Sequence, residues 1–145
     1  MSSLSLVRDD AWRYILEVYA RSGVAEDLLR QQQETGLDIV LHLFFLYVKD
    51  RLGGTVSDQA RLGAEALVLP WRETVIVPLR TLRRAMKDLP GPAGTGDAKE
   101  LLRQSIKQAE LQAEQTEFYA LCEWFDGWQR GIESQRPDSI PPQRQ

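Results

Sequence analysis

The sequence is short of most features that announce a chemistry. One cysteine, Cys122, stands among 145 residues, so no internal disulfide can form and a reducing compartment is the natural setting. One histidine, His42, leaves no Cys/His set for zinc and no pair of Glu-x-x-His motifs for di-iron, so no metal and no cofactor is expected. No G-x-S-x-G elbow occurs, and the glycines of GTGDAKE (94–100) lack both the P-loop lysine and a preceding strand, so this stretch reads as a link. A basic surplus is missing too. Eighteen Lys and Arg face 21 Asp and Glu, the net charge is −3 and the pI is near 5.2, which argues against nucleic acid as a partner. No apolar run approaches the roughly 18 residues that a membrane helix needs. MSSLSLVRDD has no basic n-region and no apolar core of signal-peptide length, so a cytoplasmic location is expected. Strand signals are almost absent, and the one β-branched cluster, Val75-Ile76-Val77, lies in a pattern of helical period.

What is present is helix. Asp9-Asp10 is expected to cap a first helix striped by Trp12, Ile15, Leu16 and Tyr19, and Ser22-Gly23 to end it. A second helix is expected from Val24 to Thr35, with Gly36 as its stop. Asp38 caps a third, about 38–52, which is apolar nearly all round and therefore central. Ser57 caps a fourth through Leu67. Pro70 is placed to open a fifth that runs to about Leu89, with a kink expected at Pro78 because proline cannot donate to the carbonyl of Thr74. Val75, Leu79, Leu82, Met86 and Leu89 form its packing seam. PGPAGTG (90–96) reads as a flexible link to a long C-terminal helix, about 97–130. The pattern predicts an all-α compact bundle of five to six helices, one domain over 1–132, and a disordered tail over 133–145.

Three stretches carry a resemblance: YARSGVAEDLLRQQQETGLDIVLHLFF (19–45), WRETVIVPLRTLRRAMK (71–87) and KQAELQAEQTE (107–117). They resemble a small proteobacterial family of all-helical proteins whose function is not established. Its pattern reads roughly Y-A-R-x-G-V, L-x-L-Q-D and G-x-D-V-N-L-L-L-F, then W-R-x-x-V-V-x-P-L-R-x-x-R-R-x-L-K, then E-L-x-A-E. The resemblance implies a fold and no chemistry. Val40 stands where the family has asparagine, His42 where it has leucine and Gln33 where it has aspartate, so His42 is not a family-wide catalytic residue.

Four groups of residues are candidates for function. Asp38 and His42 are i, i+4 neighbours and would serve as orienting acid and general base. The plainer reading, a helix cap followed by a half-buried histidine, is favoured. Arg80, Arg83, Arg84 and Lys87 form one flank of the fifth helix. They either pair internally with Glu110, Glu114 and Glu117 or face an acidic partner, and internal pairing is favoured because the guanidinium fork matches a carboxylate. Trp71 opens the fifth helix and is expected to be part-exposed. Trp124 and Trp128, with Phe125 and Ile132, either pack back on the first helix or form an apolar patch at the bundle's end. With no assembled catalytic set, the residues favour a non-enzymatic interaction or regulatory module. It would bind a protein partner or itself through Arg80–Lys87 or Trp124/Trp128. The alternative is a small-molecule binder or enzyme with a pocket between helices three, five and six, using Asp38, His42 and an arginine.

Overall fold

The computed structural model describes the backbone of residues 3–54 and 56–135, with side-chain surroundings for 8–54 and 56–127. The chain forms α1 (Ser3–Tyr19), α2 (Val24–Thr35), α3 (Ile39–Leu52), α4 (Asp58–Trp71), a π-helical turn (Arg72–Ile76), α5 (Val77–Asp88) and α6 (Gly96–Gln135). The described residues contain no strand. The all-α bundle read from the sequence is the fold found.

Termini follow local chemistry. The Asp38 side chain accepts from Leu41 N–H, and that of Ser57 from Ala60 N–H, each satisfying one of the free donors of a first helical turn. Gly36 and Gly53 end α2 and α3 with φ of 73° and 65°, the left-handed conformation that an L side chain resists. The expected cap at Asp9-Asp10 is not there, because α1 begins six residues earlier, at Ser3. Asp9 instead accepts a hydrogen bond from the Tyr119 hydroxyl of α6 at 3.0 Å.

The larger correction concerns the two prolines. Pro70 does not open a new helix; it lies inside α4, and α4, the π-turn and α5 form one unbroken helical path from Asp58 to Asp88. The π-turn ends two residues before Pro78. There Val77 N–H reaches back five residues to the Arg72 carbonyl. A widened turn is one way a helix absorbs a residue that has no N–H to give. It also resets the azimuth of every side chain that follows.

The core is built on α3. Ile39, Val40, Leu41, Leu43, Phe44, Tyr47 and Val48 are all buried, as the all-round apolar pattern requires. Phe44 meets Phe118 and Phe125 of α6 edge-on at 5.9 and 6.0 Å, a geometry that aromatic quadrupoles favour. Ala11, Ile15 and Val18 close the core from α1, and Ala64 and Val68 from α4. Helix α6 has 40 residues and spans about 60 Å at 1.5 Å per residue. Its first part packs along α5, and its middle packs against α1, α3 and α4. It starts and ends beyond the expected 97–130, so residues 133–135 are helical. The rest of the expected disordered tail, 136–145, lies outside the described residues.

Candidate functional site

An acid–arginine cluster forms where α3, the π-turn, α5 and α6 meet. Glu110, about four turns into α6, is 5 % exposed and takes two arginines of α5 at once. Arg80 Nε lies 3.1 Å from one carboxylate oxygen, and Arg83 Nε lies 2.6 Å from the other. Arg80 and Arg83 are one helical turn apart, so one carboxylate between them staples α5 to α6. The internal pairing read from the sequence is therefore present, but it is narrower than expected. Glu114 and Glu117 form no ion pair with these arginines among the described contacts, and Arg84 and Lys87 take no part in it.

Arg72 is placed by the π-turn. Its guanidinium lies 3.4 Å from the Asp38 carboxylate, whose other oxygen caps α3. Asp38 thus fixes the start of α3 to the middle of the long α4–α5 path. Trp71, the residue before, anchors the same turn by donating from its indole to the Ala113 carbonyl of α6 at 2.8 Å. The rest of the Trp71 ring is part-exposed.

Glu117 is the most unusual residue of the cluster. It is 1 % exposed, and neither of its carboxyl oxygens finds an N–H or ordinary O–H donor. Burial, and next the neighbouring Asp38, push its pKa up, to about 9. A proton on Glu117 spares the site a second buried charge beside Asp38. Both Glu117 oxygens stand without a hydrogen-bond partner and are open to one. Glu114, one turn away, is raised to about 7, by burial first and by Glu110 second. Among the described residues no group of three His, Cys, Asp or Glu side chains is arranged to hold a metal ion.

Two adjoining hollows open from this cluster. A polar chamber of about 230 Å³ is lined by Asp38, Arg72, Arg80, Arg84, Glu114 and Glu117. An apolar cleft of about 250 Å³ lies beside it, floored by Trp12, Leu16, Leu29, Leu43 and Leu111. Arg80, Arg84, Glu114, Gln32, Ile39 and Val40 border both, so the two hollows adjoin along shared residues and make a two-part site.

His42 is elsewhere. It lines a third, wider hollow together with Asp38, Arg72, Arg61, Phe45 and Leu62. Its backbone N–H bonds to the Asp38 carbonyl in the ordinary helical way, while the Asp38 carboxylate is turned to Leu41 and Arg72. Burial, and then Arg61, lower the pKa of His42, so its imidazole is neutral at pH 7. Asp38 and Arg72 border both the polar chamber and the hollow of His42, while His42 borders only the latter.

At the aromatic end, Trp124 packs on the core, with its ring 3.4 Å from where a Cβ on Gly63 of α4 would stand. Phe125 is buried against Phe44. The side chains of Trp128 and Ile132 lie outside the described residues. Cys122 is buried and its thiol is pushed up to about 12, so it is a core side chain and no nucleophile at neutral pH.

Sequence reasoning missed the open acceptor on Glu117, the Asp38–Arg72 pair and the cleft under α1 and α2. One signal was available: the three stretches that carry the resemblance, 19–45, 71–87 and 107–117, supply nearly all the residues of the two-part site.

The class defined by fold and site is a single helical bundle with a buried acid–arginine cluster opening on a small amphipathic hollow. Among the described residues no helix is long and apolar enough to cross a membrane. The chain belongs to the family described as "Protein of unknown function (DUF2390)", whose model matches residues 10–121. No curated protein and no solved structure gives a significant match.

Proposed function

We propose that this protein is a small-molecule-binding domain whose site is the two-part hollow between α1, α2, α3, α5 and α6. The observation that carries this reading is Glu117. Interiors rarely keep a carboxyl oxygen without a donor, because the lost hydrogen bond costs about 1–3 kcal/mol. Here the unpartnered group lines a chamber instead of being filled over, and the arginine beside that chamber, Arg84, makes no ion pair with any described residue. A donor and an acceptor thus stand open at one hollow whose other half is apolar, the composition of a ligand site. Both hollows fall below the roughly 300 Å³ of common ligand pockets, which suits a small occupant. A cytoplasmic setting belongs to the same reading.

The test is a nuclear magnetic resonance titration of the labelled protein with a panel of small carboxylates, amines and alcohols. Saturable shifts at the amides of Gln32, Ile39, Arg84 and Glu114 are expected for at least one member. No saturable shift in these residues with any member would refute the reading.

A second reading, self-association, is favoured by a different observation. The outer ends of α5 and α6 carry Leu82, Leu89, Leu101 and Leu102, which are 49 %, 61 %, 71 % and 55 % exposed. Leucines on two adjacent helices suit a second copy of the same hairpin, with Lys87 at the rim. Light scattering after size exclusion checks it. A dimer that becomes a monomer in Leu82→Gln/Leu101→Gln supports it, and a wild-type monomer at high concentration removes it.

A further inference from the structure

We infer that the ligand is a free amphipathic carboxylate, with its anionic head on Arg84 and its hydrocarbon part in the cleft. The inference rests on the small-molecule reading above and assigns that site a chemical class.

Charge comes first. Four cations, Arg80, Arg83, Arg84 and Lys107, border the apolar cleft against two carboxyl groups, Glu110 and Glu114. Glu110 serves both Arg80 and Arg83, so one carboxylate is shared between two guanidiniums. That leaves Arg84 of α5 and Lys107 of α6 on the lining of the cleft with no ion pair among the described residues. A cationic ligand is repelled there and an anion is drawn in. Arginine offers a fork of N–H donors that suits the two oxygens of a carboxylate.

The floor comes second. Leu16, Leu29 and Leu111 come from three different helices, and each is two-fifths exposed or more, at 45 %, 40 % and 43 %. All three line the same cleft. Scattered exposed leucines are ordinary, but three converging on one concavity are not. Trp12 and Leu43 extend that surface inward. A hydrocarbon laid across it removes apolar area on both sides from water, at about 25 cal/mol per Å². Arg84 and Glu114 stand at the polar end of the cleft, so a molecule with a single anionic end is oriented with that end toward Arg84.

The source of such a carboxylate is taken to be a free molecule. The cleft is a small concavity crossed by α1, α2, α3 and α6, and a headgroup held in a bilayer would have to bring its neighbours against the charged rim.

The experiment is isothermal titration of the whole chain with three ten-carbon probes below their micelle concentrations: decanoate, decan-1-ol and decyltrimethylammonium. Arg84→Gln is run beside wild type, and Arg103→Gln serves as the control, since that residue pairs with Glu100 and lines neither hollow. Arg84 makes no ion pair among the described residues, so its replacement is expected to leave folding intact, checked by circular dichroism. Decanoate is expected to bind most tightly. Arg84→Gln should weaken it by about tenfold or more, the worth of one charge-assisted hydrogen bond, while Arg103→Gln changes nothing. Equal binding of all three probes, with shifts still at the site, would overturn the carboxylate class and leave the small-molecule reading standing. Decanoate affinity unchanged in Arg84→Gln would overturn the assigned head position and with it the proposal. No binding of decanoate, together with binding to phosphatidylglycerol vesicles, would overturn the free-molecule source. No binding of any probe overturns the proposal outright.

Discussion

Two stretches of α6, end to end on one helix, meet two different interiors. Residues 118–125 bury Phe118, Leu121, Cys122 and Phe125 against the aromatic core of α3, where shape is the only requirement. Residues 110–117 bury Glu110 and Glu117 against α5 and the π-turn, where every atom needs a partner. The apolar stretch is complete as it stands. The acidic stretch is complete at Glu110, with its two arginines, and incomplete at Glu117. A well-packed apolar replacement is often as stable as a buried ionic cluster, so stability alone does not account for the acidic stretch. The contrast separates a part of the helix that holds the fold from a part that the fold holds open.

The largest effect should come from the apolar stretch. Phe118→Ala removes a ring that is fully buried and in contact with Trp12, Phe44 and Tyr47. A loss of about 3–5 kcal/mol is expected by urea denaturation. A loss under about 1.5 kcal/mol would mean that the core does not rest on this stretch. Glu110→Ala comes next. Breaking a buried pair costs about 3–5 kcal/mol, but Arg80 and Arg83 keep 16 % and 21 % of their side chains exposed and can rehydrate. A loss of about 2 kcal/mol is expected. If Glu110→Ala were as damaging as Phe118→Ala, the two stretches would be equal supports and the contrast would fail.

The pH dependence of stability isolates Glu117. Its carboxyl is held protonated in the fold up to about pH 9, against an ordinary value of 4.5 in the unfolded chain. Between those values the folded chain binds more protons than the unfolded one. Its contribution is therefore fully present below about pH 4.5 and is lost as pH rises. Glu114 acts in the same direction but only up to about 7. From pH 7.5 to 8.5 the slope belongs mainly to Glu117, at most about 1.4 kcal/mol per pH unit, with a smaller part of the same sign from the buried Cys122 thiol. Glu117→Gln should flatten it, read from urea midpoints across that window. An equal slope in both proteins would mean that Glu117 is already ionised and has found a partner.

Much of this was legible from the sequence, and what was missed has physical causes. The buried α3, the caps at Asp38 and Ser57 and the stops at Gly36 and Gly53 all follow from local rules, whereas the pairing of helix-five arginines with α6 glutamates is one of two readings that the charge pattern allows. Periodicity, caps and left-handed glycines act within a turn or two. The continuous path through Pro70 and the π-turn before Pro78 were not legible, because proline marks a weak point without saying how the chain absorbs it. That turn decides which way Arg72 faces. The Asp38–Arg72 pair was hidden for that reason, although both residues stood in the stretches that carried the family resemblance. Likewise the spacing of Glu110, Glu114 and Glu117 placed them on one face but not opposite different neighbours. His42 drew notice because it is the only histidine, yet it borders only the third hollow.

The smallest effect concerns two caps that look alike in sequence and differ in surroundings. Ser57 only caps: its hydroxyl serves Ala60 N–H and nothing else among the described residues. Ser57→Ala should therefore lose about 1 kcal/mol, the usual worth of an N-cap, at every pH from 6 to 8.5. Asp38 caps Leu41 N–H with one oxygen and meets Arg72 and Glu117 with the other. Asparagine caps as well as aspartate, so Asp38→Asn keeps the first duty and removes the negative charge that raises Glu117. Its expected loss near pH 6 is under about 1 kcal/mol, with the slope from pH 7.5 to 8.5 reduced toward that of Glu117→Gln. If Asp38→Asn kept the full slope, burial alone would hold the proton on Glu117. If Ser57→Ala changed the slope, the titration would not belong to the acidic stretch at all. The first result would detach the helix cap from the site, and the second would detach the site from α6.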